Sequence, residues 1–378
     1  MFNILNNYWL EIKTFVCSLI LVLVNIVPLL ICIAFFVVAE RKILGALQRR
    51  FGPNMVGYWG LLQAVADGFK LMCKEVLIPA RVNLYLYFLA PVSALFFTFF
   101  AWGFVPMSLT SFFFDDIYST LIILAVSSLN VYTIMVAGWS SNSKYSFLGG
   151  LRSSAQMISY EVSISICLLP VFLSSNSLNI LDIVMSQKFV FYAIPMMPVA
   201  LIFFISIIAE TNRAPFDLPE AEAELVAGFN LEYASIIFAF FFLAEYGNII
   251  LMSAFFSILF FGGWLPPLAV LGFIPPIVWL SLKTVFCCFL FIVIRGTLPR
   301  YRYDQLMYLG WKVFLPVSLS FFFFYVSWLF LLNGTPSDFF DFQNMNISSL
   351  TNMVIKPSFL FFNSEDSCIK QIIFLTYK

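Results

Sequence analysis

The chain is 378 residues long, 62% hydrophobic and only 11% charged, with a formal net charge of zero and no histidine. A soluble domain carries roughly 25% charged residues, so this composition belongs to a chain solvated by lipid. Neutrality argues against a nucleic-acid partner, which demands a basic surplus. The missing histidines exclude His-held haem, His-ligated zinc and any Ser/His or Cys/His nucleophile pair.

Residues 1–14 contain Glu11 and Lys13 and lack the Arg-rich, acid-poor character of a transit peptide, so no cleavable targeting segment is expected. The apolar run 15–39 is too long for a signal-peptide core and reads as a membrane span. Further runs of crossing length lie at 84–107, 117–139, 155–175, 189–209, 234–261, 269–294 and 313–332. The expected fold is an all-α polytopic membrane protein, with about eight transmembrane helices forming a single membrane domain over 1–332. Pro275 and Pro276 fall inside the seventh run and predict a kink or a broken helix there. Residues 333–378 are mixed in character and too short to cross again; they read as a C-terminal extension with no assigned role.

Between the first two runs, Gln63, Asp67, Lys70 and Lys74 recur at helical spacing. They predict an amphipathic helix over about 59–76, which Pro79 prevents from continuing. Such a helix either lies flat in the interface or turns its polar stripe toward a cavity at headgroup depth. The first, third, fifth and seventh connections hold Arg41, Arg49, Lys70, Lys144, Arg213, Arg300 and most other basic residues, whereas the even-numbered ones hold only Lys188. By the positive-inside rule, the long odd-numbered loops face the cytoplasm or matrix. The seven cysteines form no C-x-x-C pair, so no metal or Fe–S site is expected. The 48 phenylalanines suggest an AT-rich, organellar coding genome.

The densest chemistry lies at 210–233, where Glu210, Asp217, Glu220, Glu222 and Glu224 face a single Arg213. Asp217, Pro219 and Glu220 have the spacing of a capped helix start. Beyond it, Glu220 and Glu224 share a helical face while Glu222 points nearly opposite. Arg213, one turn after Glu210, is its expected ion-pair partner. Such a cluster either holds a shared proton or forms a solvated acidic loop. Acids also occur inside the apolar runs, at Glu161 and Glu245. Each costs roughly 2.5–3.5 kcal/mol to insert, which favours a functional use. Lys283 is the basic residue deep in a span and a candidate counter-ion. Arg152, Gln156 and Tyr160 make a polar face before Glu161 and suggest a wet path.

Seven ordered motifs carry a family resemblance. They begin with the runs Ala39-Glu-Arg-Lys, Gln48-Arg-Arg-Phe-Gly-Pro-Asn and Ala66-Asp-Gly-Phe-Lys. Gly149-Gly-Leu-Arg-Ser-Ser-Ala-Gln and Ala209-Glu-Thr-Asn-Arg-Ala-Pro-Phe-Asp follow, then Glu224-Leu-Val-Ala-Gly-Phe-Asn and Arg300-Tyr-Arg-Tyr-Asp. Together they resemble NADH dehydrogenase subunit 1, the quinone-site membrane subunit of respiratory complex I. The resemblance implies a subunit of NADH:ubiquinone reductase that carries no redox centre of its own. It implies a ubiquinone tunnel involving Glu40, Arg41, Asp67 and Arg295 with Gly68 and Phe229 in its wall, and with either Arg49 or Arg50 meeting the ligand. It also implies a proton path through Glu161, Glu210, Asp217, Glu220, Glu222, Glu224 and Glu245. NADH, flavin and Fe–S clusters would sit on partner subunits of the peripheral arm, beside antiporter-like and small membrane-arm partners. The implied location is the mitochondrial inner membrane, with the bacterial inner membrane as the alternative.

The expected mechanism follows from charge. Quinone reduction leaves negative charge in its pocket until protons arrive, and the nearby acids sense it through a low dielectric. Three alternatives compete: the homologous membrane subunit of a proton-pumping hydrogenase, a stand-alone proton or ion transporter, and a structural anchor for a soluble redox arm.

Overall fold

The computed structural model of the chain describes residues 2–109, 114, 116–217, 228–267 and 271–332, the side chains of 2–22 and 25 excepted. Among the described residues the regular structure is entirely helical. Glu220, Glu222 and Glu224, the helix start at Asp217–Glu220 and the extension 333–378 lie wholly or partly outside them.

α1 (Phe2–Leu47) runs through the first apolar stretch and on past it, carrying Glu40 and Arg41 on its last turns. It ends in a Schellman motif. Arg49 adopts φ 55, and the Arg50 and Arg49 amides donate to the carbonyls of Gly45 and Ala46 at 2.9 and 3.1 Å. α2 (Gln63–Cys73) is shorter than the helix predicted over 59–76. Gly57, Trp59 and Gly60 all have positive φ, and a Cβ on Gly60 would lie 2.2 Å from the Pro53 carbonyl oxygen. That turn requires glycine and delays the helix start.

α3 (Leu84–Trp102) and α4 (Ser119–Ser140) pack together, and α5 (Lys144–Ser175) packs on α4. α5 starts well before the apolar run at 155–175. Ser143 caps it by accepting the Ser146 amide, and its early residues Gly149, Gly150, Ser153 and Ser154 are buried against protein. Small residues let helix backbones approach closely in lipid, where packing rather than water exclusion drives association. A Cβ on Gly149 would sit 2.7 Å from the Gly228 Cα, so the 228–230 turn is pressed onto α5.

α6 (Ile180–Ser186) is a short connector, and α7 (Met197–Glu210) begins later than the run at 189–209. Turns occupy the intervening residues, and Pro198 stands at the helix entry, where its missing N–H costs nothing. α8 (Ser235–Phe261) is deeply packed, touching α1, α3, α7 and α9 (Pro276–Thr297). Pro276 starts α9 after turn residues at 271–275, so the expected kink or broken helix takes the form of a helix N-terminus. The last helix, α10 (Tyr303–Leu331), begins earlier than the run at 313–332 and holds a π-helical segment at Leu309–Phe314. α3, α4, α5, α8, α9 and α10 are long and apolar enough to cross a bilayer.

Among the described residues, Lys283 on α9 pairs with no carboxylate. Its ammonium donates to the carbonyls of Phe261, Gly263 and Leu265 at 2.6, 2.8 and 2.6 Å and lies 4.8 Å from the Phe191 ring centre. The cause is the end of α8, where Gly262 at φ 69 stops the helix and frees its last carbonyls. Gln187 donates to the carbonyls of Ile258 and Leu259, and the Ala193 amide to that of Phe260, completing the cap.

Candidate functional site

Two polar centres lie side by side in the bundle, and each draws on the same two elements. The first surrounds Glu40, which is 5% exposed at the end of α1. Arg295 on α9 forms a salt bridge to its Oε1, the Tyr246 hydroxyl on α8 donates to its Oε2 at 2.6 Å, and an Arg213 guanidinium nitrogen lies 3.7 Å from Oε1. Arg213 also sits over the Tyr246 ring, 4.4 Å from its centre. Charge-assisted bonds in a desolvated setting are among the stronger polar contacts available.

Arg213 therefore pairs with Glu40 rather than with the expected Glu210. The reason is local. α7 ends in a second Schellman motif, with Asn212 at φ 51 and the Arg213 and Asn212 amides donating to the carbonyls of Ile208 and Ala209. The helix stops at Glu210, so the one-turn spacing that would stack Arg213 on it no longer holds.

The second centre is a cavity of about 40 Å³ lined by Glu210, Thr211, Asn212, Asn130, Glu245 and Asn248, with Phe229, Ala94, Ile134 and Met157 as apolar wall. A water needs about 10–15 Å³ of such volume, so roughly two or three fit. Glu210 is 3% exposed, and its Oε2 is buried with no hydrogen-bond partner among the described residues. Glu245 and Tyr246 are consecutive on α8 and so point about 100° apart. Tyr246 serves the Glu40 centre and Glu245 the cavity. Glu210 and Arg213 divide in the same way across the turn after α7.

Arg41 and Asp67 pair at 2.7 Å, with Gln63 donating to Asp67 at 3.1 Å, but both ionic side chains are substantially exposed. An exposed pair of this kind contributes little to stability. Gly68 shares that α2 surface, and a Cβ there would meet nothing within 4 Å. Arg49 and Arg50 stand exposed in the turn after α1. Phe229 is 2% exposed, packs edge-on against Phe241 and walls the carboxylate cavity. Nearby, the Tyr233 hydroxyl shares a hydrogen bond with Ser140, and burial holds its pKa above the ordinary tyrosine value. It therefore stays a neutral clamp.

The polar face of α5 is a clasp rather than an open wet path. Gln156 donates to the carbonyls of Ala209 and Phe216, both at 2.8 Å, and Tyr160 to that of Leu306 at 3.0 Å. Arg152 stacks on the Tyr303 ring. Glu161, one residue on from Tyr160, is half-buried. Asp217 is buried and paired with Arg300 at 3.3 Å, and the Phe216 ring stacks on Tyr301. These contacts anchor the 209–217 segment to α5 and to the 300–301 connection.

Tyr246, Arg300 and the three asparagines of the cavity were not singled out as site residues from sequence. Tyr246 counts as hydrophobic in composition, and its one sequence signal is adjacency to Glu245. Asparagine carries no charge to mark it in an apolar run.

Comparison with known proteins supplies the remaining observation. Residues 20–326 match the family model described as NADH dehydrogenase. NADH-ubiquinone oxidoreductase chain 1 of Chondrus crispus is 52% identical over 323 residues, covering 85% of this chain and 97% of that protein. A bacterial relative, an NADH-quinone oxidoreductase subunit of Rhodospirillum centenum, is 55% identical over 300 residues, covering 79% and 89%. The chain 1 protein of Arabidopsis thaliana is 54% identical over 297 residues, covering 78% and 91%.

Proposed function

Since this chain belongs to the NADH dehydrogenase family, we propose that it is the membrane subunit of respiratory complex I that binds ubiquinone and couples its reduction to proton movement. The observation that carries the reading is the pairing of the two centres. One buried helix and one turn supply both, through Tyr246 with Glu245 and Arg213 with Glu210. A charge appearing near Glu40 is thus felt at the cavity acids through a short, poorly screened path.

The quinone headgroup approaches the end of α1 and the polar stripe of α2, where Arg41, Asp67, Gly68 and Arg295 lie, with Arg49 or Arg50 at the mouth. Electrons come from flavin and Fe–S clusters on peripheral-arm partners, and this chain contributes charge and shape. Protons move by way of Glu161, Glu210, Asp217 and Glu245, and of Glu220, Glu222 and Glu224 beyond the described residues, toward antiporter-like partners. The protein sits in the inner membrane, that of a mitochondrion by composition, with its basic loops on the matrix side and 1–332 as one membrane domain. The names of its relatives favour this over a hydrogenase subunit.

The quinone half is tested with a photoreactive ubiquinone analogue in the assembled enzyme. Label is expected on 40–50 and 63–70, and competition by ubiquinone should remove it. Label confined to other subunits, or unaffected by competition, would overturn the assignment.

A further inference from the structure

Three amide side chains from three different elements meet at the carboxylate cavity: Asn130 from α4, Asn212 from the turn after α7 and Asn248 from α8. Asn248 is 7% exposed. A packed interior between helices in lipid has no need of three asparagines, since apolar side chains fill such space without a polar group to satisfy. What the amides supply is a donor and an acceptor each, on a group that does not titrate.

The hydrogen-bond inventory around the space is incomplete without solvent. Glu210 Oε2 and Asn212 Oδ1 are both buried with no hydrogen-bond partner among the described residues. The Asn212 amide nitrogen faces the Met157 sulfur at 3.4 Å, a weak acceptor. The Thr211 hydroxyl hydrogen is directed to the carbonyls of Ile207 and Ile208, which leaves its oxygen able only to accept. Buried polar atoms left open beside room for roughly two or three waters call for water as their donor.

We infer that Asn130, Asn212 and Asn248 are positioning residues that hold a short chain of water between Glu210 and Glu245. The proton therefore crosses this gap through water rather than by contact between carboxylates. The inference rests on the reading of those two acids as part of the proton path. In the step itself, the protonated carboxyl of one glutamate gives its proton to the adjacent water. That water releases another proton along the chain, and the second carboxylate accepts it. One O–H bond forms for each that breaks, and no electrons move. The amides fix the orientation of each water and keep the proton from resting on themselves.

The test compares two substitutions that separate wetting from volume. Asn248→Val and Asn248→Thr give side chains of nearly equal shape, close to asparagine in size; valine removes the polarity and threonine keeps a hydroxyl. The same pair at Asn130 provides a second set should one site fail to assemble. The assembled enzyme is reconstituted into vesicles, and protons moved per electron are counted. The valine variants are expected to lose roughly half of the ratio or more, with the threonine variants close to wild type. A valine variant with the wild-type ratio, or a threonine variant as defective as valine, would overturn the inference. Glu245→Gln is measured beside them. If it keeps the wild-type ratio, the carboxylate reading fails. If it loses the ratio while Asn248→Val keeps it, only the water-holding role fails.

Discussion

Glu40→Ala is expected to destabilise the assembled protein by about 3–5 kcal/mol and to abolish quinone reductase activity. The buried carboxylate faces Arg295 and Arg213 and accepts from Tyr246, so its removal takes away the acid that three groups converge on. Deleting one member of a buried charge pair costs more than the pair is worth, because the remaining charge stays desolvated. Arg213 is 7% exposed and stacked on Tyr246, so it has no easy route to solvent. Tyr246→Phe removes a single hydrogen bond to the same carboxylate, and about 1.5–3 kcal/mol is expected for it. Thermal unfolding in detergent and the quinone reductase rate check both values. A Glu40→Ala protein within about 1 kcal/mol of wild type and fully active would mean that the centre is ornamental.

The second large effect is expected at Lys283, where substitution by Met should cost about 2–4 kcal/mol. Three carbonyls at the end of α8 converge on one ammonium, and its removal would leave all three without that donor. The ammonium also balances the negative end of the α8 dipole. Arginine should not rescue the site, because its planar fork cannot point three donors at carbonyls arranged around a point. Amide exchange across 258–265 should accelerate in both variants. Unchanged exchange there would show that the cap is dispensable.

The apolar runs announced the helices but not their ends. α4 and α8 appear close to where hydropathy places them, since an uninterrupted apolar stretch of crossing length has few alternatives in lipid, whereas α1 extends beyond its run at both ends. α5 extends well before its apolar run because Gly149, Gly150, Ser153 and Ser154 are buried against protein, a partner that hydropathy does not see. The early turns of α10 instead bury Leu306, Gly310 and Phe314 and leave Asp304, Gln305 and Lys312 exposed. α7 and α9 start late, at prolines that set a helix entry. Among the acids, the costly intramembrane position of Glu245 drew attention to it, and the structure sets it in one cavity with Glu210. Arg213 was misplaced because helical spacing was carried through a turn that Asn212 breaks. The α5 face was misread because a polar stripe looks the same whether it touches water or backbone carbonyls. Tyr246 and the asparagines were missed because neither charge nor periodicity marks a neutral polar group in an apolar helix.

The account stands most directly on proton counting. Wild-type enzyme and Glu210→Gln would be reconstituted into sealed vesicles, with NADH-driven electron flow to ubiquinone and proton uptake recorded on the same sample. Glutamine keeps the shape of the side chain at the cavity but cannot carry a proton. The predicted result is a clear fall in protons moved per electron. An unchanged ratio in the Glu210→Gln enzyme would contradict the central claim that these buried carboxylates join quinone chemistry to proton movement.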